Sequence, residues 1–193
     1  MKKYSLIIYL DKKSNNKIKL IQKKLFNLTG SKSCLKLWNP HITIGAGVKI
    51  KNKEEKQFHR DIENAIKNIK PFKIKIKDYG FMDNWMGGKL KGFTSYVIYI
   101  NVIKNKRLQN LFNKIKEKVT DKRNLFYGPI LLYNPHLTIA FKDLNKGPFL
   151  KAKKMLKKEK FEGQILINHI AIAKDNKKGQ WQEYKRFDLN LKN

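Results

Sequence analysis

One hexapeptide occurs twice, with a single exchange of Ile for Leu, in this chain of 193 residues: Asn39-Pro-His-Ile-Thr-Ile44 and Asn134-Pro-His-Leu-Thr-Ile139. His41 and His136 stand 95 residues apart, about half the chain, which suits a duplicated half-domain better than a short stacking repeat. Pro40 and Pro135 fix φ and bias the preceding Asn to extended geometry, so each copy is predicted to open a strand. Side chains alternate faces along a strand, so His41 shares a face with Thr43 and His136 with Thr138, while Ile42, Ile44, Leu137 and Ile139 point the other way. If the halves are related by a pseudo-twofold, two His-Thr pairs look across one groove.

Two imidazoles facing one substrate make a general acid and base pair, because histidine titrates near neutral pH and one ring can be charged while the other is neutral. The hydroxyls of Thr43 and Thr138 can donate to charge developing on a phosphoryl oxygen. Acid, base and two donors suffice for phosphodiester transfer without a metal. A lone strand histidine is most often structural; two copies, each behind Asn-Pro, are hard to explain by packing.

Paired His-x-Thr motifs at strand starts resemble the 2H phosphoesterase superfamily, including its 2'-5' RNA ligase and RNA 2',3'-cyclic phosphodiesterase group. The likeness is strongest in the second half, through Asn134 to Leu144 and the later stretch from Trp181 to Leu189. It spans the chain, although only the two motifs are specific. It implies a bilobal α+β fold and four catalytic residues, which fall here on His41, Thr43, His136 and Thr138.

Composition sets the bounds. The length suits a single domain over residues 1–193 with lobes of about 1–92 and 93–193, and 41% apolar residues are a globular value. One cysteine, Cys34, excludes an internal disulfide and fits a reducing compartment; nothing near it in sequence marks it as an activated nucleophile. The apolar run at the N-terminus stops at Asp11 and no run approaches a membrane span, so the expectation is a cytoplasmic protein with no membrane association, acting as a monomer. The net charge of +29 invites polyanions. With 40 lysines against four arginines, spread along the whole chain, a compositional bias explains it as readily.

In chain order, strands are predicted over 4–10, from His41 until Gly45 and Gly47 break it, over 72–78, over 95–102, as one long strand over 164–173, and over 180–189. Helices are predicted over 17–28 with Gly30 as a stop, 54–70, 108–119 and 149–160. Residues 80–92 read as a loop bearing Trp85, a hairpin connection or a lip of the groove, and 124–133 as a loop around Gly128-Pro129. Glu55, His59 and Glu63 share one helix face, a spacing open to metal ligation but commoner in a solvated face, and no metal and no cofactor are expected. His169 has Ala171 where a hydroxyl would be required and reads as structural. Trp38 and Tyr133 each lie three residues before a motif histidine, where they would stack on a nucleobase or pack in the core.

The expected fold is α+β: two mainly antiparallel sheets with helices outside, meeting in a concave groove. The expected function is metal-independent hydrolysis of a phosphodiester on RNA ends or nucleotides, above all opening of 2',3'-cyclic phosphates to 2'-phosphates. Cleavage of 2'-5' oligonucleotides, or of cyclic di- or oligonucleotide signals as an antagonist of viral or phage defence, uses the same four groups. A non-catalytic RNA-binding module is the reading from a different class, against which stands the retention of all four motif residues.

Overall fold

A computed structural model describes residues 1–85, 92, 94–123, 134–176 and 179–190. The strands are β1 (Lys2–Tyr9), β2 (His41–Ile50), β3 (Phe72–Met82), β4 (Val97–Ile103), β5 (His136–Ala140), β6 (Glu162–Ile167), β7 (His169–Asp175) and β8 (Trp181–Asp188). The helices are α1 (Lys12–Thr29), the short α2 (Ser33–Lys36), α3 (Glu55–Ile66), α4 (Lys106–Ile115) and α5 (Lys146–Leu156). Their ends follow local chemistry. Asp11 accepts from the Ser14 amide at 2.9 Å to start α1, and Gly30, at φ 74°, ends it by donating to Phe26 O. Asn105 caps α4 through Leu108 N at 2.8 Å, and a π-helical turn, Lys116–Thr120, prolongs that helix.

The two expected sheets meet as halves of one curled, antiparallel sheet in the order β6-β3-β4-β5-β2-β1-β7-β8. The halves of the sheet are not the halves of the chain. β3, from the first part, pairs with β4 and β6, while β7 and β8, from the last part, extend β1. The helices are exchanged too: α1 packs on β5 and α5, whereas α4 packs on β2 and α3. Each half depends on segments from both ends of the sequence.

Alternation along the strands sends one set of residues into a helix-covered core, among them Leu6, Ile8, Ile42, Ile44, Ile98, Ile100, Leu137 and Ile139. The other set lines the open face. Several expected boundaries shift where that alternation changes phase. The expected strand over 164–173 is two strands, because the buried positions move from Ile165 and Ile167 to Ile170 and Ile172 across Asn168, and the chain there passes from one half of the sheet to the other. β3 runs past its expected end to Met82, so its last residues are strand where a loop was expected. At Asp78, with φ 52°, a bulge moves the core-facing phase from Ile76 to the partly buried Tyr79 and Phe81. Gly45 and Gly47 bend β2 instead of ending it: Gly47 takes φ 64° beside a register shift against β1, and the strand continues to Ile50.

Gly80 has a structural reason of its own. It stands opposite Tyr99, and a Cβ there would lie 2.2 Å from the Tyr99 ring. Gly80→Ala is therefore expected to cost about 1–3 kcal/mol, measured by denaturant unfolding, as other overpacking changes do. Most of that cost should vanish in the Tyr99→Ala background, and a cost that is the same in both backgrounds would contradict the close approach.

Candidate active site

β2 and β5 touch through one register pair, Ile42 opposite Leu137. Because the strands are antiparallel, that pair acts as a local twofold: His41 lies toward Thr138, and Thr43 toward His136. All four side chains fall on the open face and are partly exposed, while their aliphatic neighbours Ile42, Ile44, Leu137 and Ile139 are buried. The two histidines occupy diagonal positions, which across an antiparallel pair means about 7–8 Å between backbones.

The local chemistry of the two copies is the same. Pro40 and Pro135 are buried and the preceding asparagines exposed. His41 Nδ1 lies 2.8 Å from Asn39 O, and His136 Nδ1 lies 2.8 Å from Asn134 O. A carbonyl only accepts, so Nδ1–H donates in each case and the free lone pair of the neutral ring is on Nε2. Neither Nε2, and neither threonine hydroxyl, has a hydrogen-bond partner among the described residues. Burial holds His41 below the ordinary histidine value; the Asn39 carbonyl opposes this and His136 adds to it. Burial lowers His136 as well, opposed by the Asn134 carbonyl. A proton on His136 thus disfavours a second on His41, which suits a pair that works with one ring charged.

The symmetry stops at the next strands. Tyr9 stands opposite His41, with its ring 6.5 Å away and edge-on; burial and then Glu183 push its hydroxyl up to about 12. On the other side Asn101 stands opposite His136, and Tyr99 stands opposite Thr138 with its ring 5.1 Å from the imidazole. Asn101 is held by donating to Asp78 O at 3.3 Å, at the β3 bulge. Tyr9, Tyr99 and Asn101 were not singled out by sequence reasoning. Their strand phase was readable, but the partner of each strand was not.

Trp38 is half-buried at the end of the groove nearer His41. It bridges to Trp181, and its ring packs 5.9 Å from Phe141, with Lys142 Nζ 6.0 Å from the ring centre. Phe141 also meets Trp85 edge-on at 4.7 Å. Tyr133 lies outside the described residues, as does the loop expected over 124–133. Cys34 is buried, and burial pushes its thiol well above the usual range. His169 is 5% exposed, bonds Asn168 Oδ1 through Nδ1 at 2.7 Å, and stands on β7, two strands away from β2. Glu55 is engaged by Lys2, Tyr4 and Tyr184 and Glu63 by Lys185, while the His59 ring between them packs near Phe58, Tyr184 and Phe187. Among the described residues no group of three or more His, Cys, Asp or Glu is placed to hold a metal ion, and no helix is long and apolar enough to cross a membrane.

NMR titration checks the electrostatics. His41 and His136 should both titrate below 6.5, and His136→Ala should raise the His41 value by removing a neighbouring charge and admitting water. An unchanged or lower value for His41 would contradict the coupling.

No match to this chain is found among curated proteins. Among solved structures it resembles Escherichia coli LigT complexed with 3'-AMP, at 15% identity over 98% of this chain and 99% of that chain, with a TM-score of 0.70. It resembles TT0787 of Thermus thermophilus at 13% identity over 97% of both chains, with a TM-score of 0.67. It also resembles Kluyveromyces marxianus Usb1, at 8% identity over 98% of both chains, with a TM-score of 0.58. At these identities the likeness carries the fold. The model of the 2'-5' RNA ligase superfamily matches residues 32–179, which include both His-x-Thr motifs and more than half of the sequence. The chain belongs to the 2'-5' RNA ligase superfamily of 2H phosphoesterases.

Proposed function

We propose that this protein is a metal-independent phosphodiesterase that opens 2',3'-cyclic phosphates at RNA ends or on nucleotides to 2'-phosphates. The observation that carries the reading is the matched pair of imidazoles, each tethered through Nδ1 to the carbonyl two residues back, with Nε2 left for the substrate. In the forward step one neutral imidazole takes a proton from water at Nε2 as the water oxygen attacks phosphorus. The bond from phosphorus to O3' breaks, and the second ring, charged at the start, gives its Nε2 proton to O3'. The product keeps its phosphate on O2', and the two rings have exchanged protonation states. Thr43 and Thr138 donate to the non-bridging oxygens, where charge grows in the transition state. The half-buried Trp38, beside Phe141 and Lys142, is the aromatic side chain we assign to stacking on a base.

Support from relatives is of a coarser kind. LigT has been crystallised with 3'-AMP, with ATP and with NADP+, so that protein takes nucleotides. The family's name also speaks for a second reading, in which the same groups act on a 2'-5' linkage.

The test is turnover in EDTA of 2',3'-cyclic mononucleotides, RNA ending in a cyclic phosphate, 2'-5' oligoadenylate and cyclic dinucleotides. His41→Ala and His136→Ala should each lower kcat by about 10²–10⁴ without unfolding the protein. Thr43→Ala and Thr138→Ala should each cost about 10²–10³. The best substrate chooses between the readings. Turnover that survives loss of either histidine would overturn the mechanism.

A further inference from the structure

The open face of the sheet is electrically lopsided. On β3, Lys73, Lys75 and Lys77 are exposed and alternate with buried Phe72, Ile74 and Ile76. Lys77 stands directly opposite Asn101, and Asn101 directly opposite His136. Direct partners share a face, so a row leads from His136 through Asn101 to Lys77. At 4.7–4.9 Å between strands Lys77 is about 10 Å from His136, and Lys75 and Lys73 follow in steps of about 7 Å. Such steps are comparable with the spacing of successive phosphates on a stretched single strand.

Beyond Lys73 lies a shallow cavity of about 640 Å³, lined by Lys73, Lys106, Arg107 and Leu166 among others. Ile103 and Leu166, 44% and 40% exposed, stand opposite Lys75 and Lys73 and offer apolar contact to bases. None of these five cations forms an ion pair among the described residues. Glu162, opposite Lys77, is the acid that the register brings nearest.

The far half of the sheet differs. There β8 puts Glu183 opposite Ala173 and Asp188 opposite His169, on the same open face. Arg186, the cation between them, is paired with Glu183 at 3.0 Å. An anionic chain leaving the histidines meets cations without ion pairs among the described residues over β3, whereas on β8 the cation is already engaged by Glu183. The lysines opposite each other on β1 and β2, Lys3 and Lys49, lie at the far end of those strands from His41. Lysines scattered through the sequence do not explain that direction; the strand register does.

We propose that the groove takes the end of a single-stranded RNA, its terminal phosphate between His41 and His136 and its following phosphates over Lys77, Lys75 and Lys73 toward Lys106 and Arg107. The terminal part rests on the phosphodiesterase reading above, whereas the lysine track does not. The substrate is then a polymer end, and a mononucleotide uses only part of the site.

The experiment measures binding of an end-labelled single-stranded RNA of about eight nucleotides, carrying a 3'-phosphate, across a salt series. Lys73→Ser, Lys75→Ser and Lys77→Ser are combined in one variant; a control variant combines Lys12→Ser, Lys19→Ser and Lys23→Ser on α1. Each phosphate contact on a single strand contributes about 0.7 to the slope of log K against log salt, so the track variant should lose about 2 and the control nothing. Wild-type kcat/KM should also rise about tenfold or more from a cyclic mononucleotide to the longer RNA, and the track variant should lose that rise while keeping its mononucleotide turnover. Equal slope losses in the two variants, or a wild type indifferent to chain length in both binding and turnover, would overturn the track. If no phosphodiester is turned over and the track variant alone loses RNA binding, the track stands and the catalytic reading falls.

Discussion

A single backbone pairing, Ile42 against Leu137, holds the arrangement together. It joins the two four-stranded halves, and because it is antiparallel it turns two copies of one motif into a facing pair. The aliphatic residues of the pair enter the helix-covered core, so the residues on either side must face the groove. A slip of one residue in either strand would bury an imidazole and expose an isoleucine. The exchange of β3 against β7 and β8 braces this junction, since neither half of the sheet can be completed from one end of the chain.

The site's electrostatics follow from that placement. Partial burial favours neutral imidazoles, and the asparagine carbonyls fix which nitrogen carries the proton. In the proposed reaction two nearly identical groups take distinct duties, and what distinguishes their surroundings comes from outside the motif. His41 has a tyrosine directly opposite, and His136 has an asparagine there with a tyrosine one step along. The open face then falls from lysine-rich β3 to acid-bearing β8, which gives the groove a direction that the motif symmetry lacks.

Much of this was legible in the sequence, for definite reasons. Asn-Pro fixed the strand starts, and period-two alternation put each histidine with its threonine. Asp11 and Gly30 bounded α1 by capping chemistry, although only Gly30 was read as a signal in advance. The misplaced boundaries were legible in principle, as changes of apolar phase at Asp78 and Asn168, but a run such as Ile165 to Ala173 reads as continuous when phase is not tracked. The exchange of strands between halves was not legible, because pairing between distant segments leaves no local trace. For the same reason Tyr9, Tyr99 and the Gly80 that makes room for Tyr99 emerged only from the register.

In the proposed reaction two coupled histidines, one charged and one neutral, move both protons. The most direct test is the pH dependence of kcat/KM in EDTA on a 2',3'-cyclic phosphate, for the wild type and for each histidine variant. A bell with two limbs is predicted, its optimum on the acid side of the ordinary histidine value of 6.5, and each variant should lose one limb together with most of the rate. A wild-type profile with a single limb, or a variant that keeps both limbs, would contradict the account.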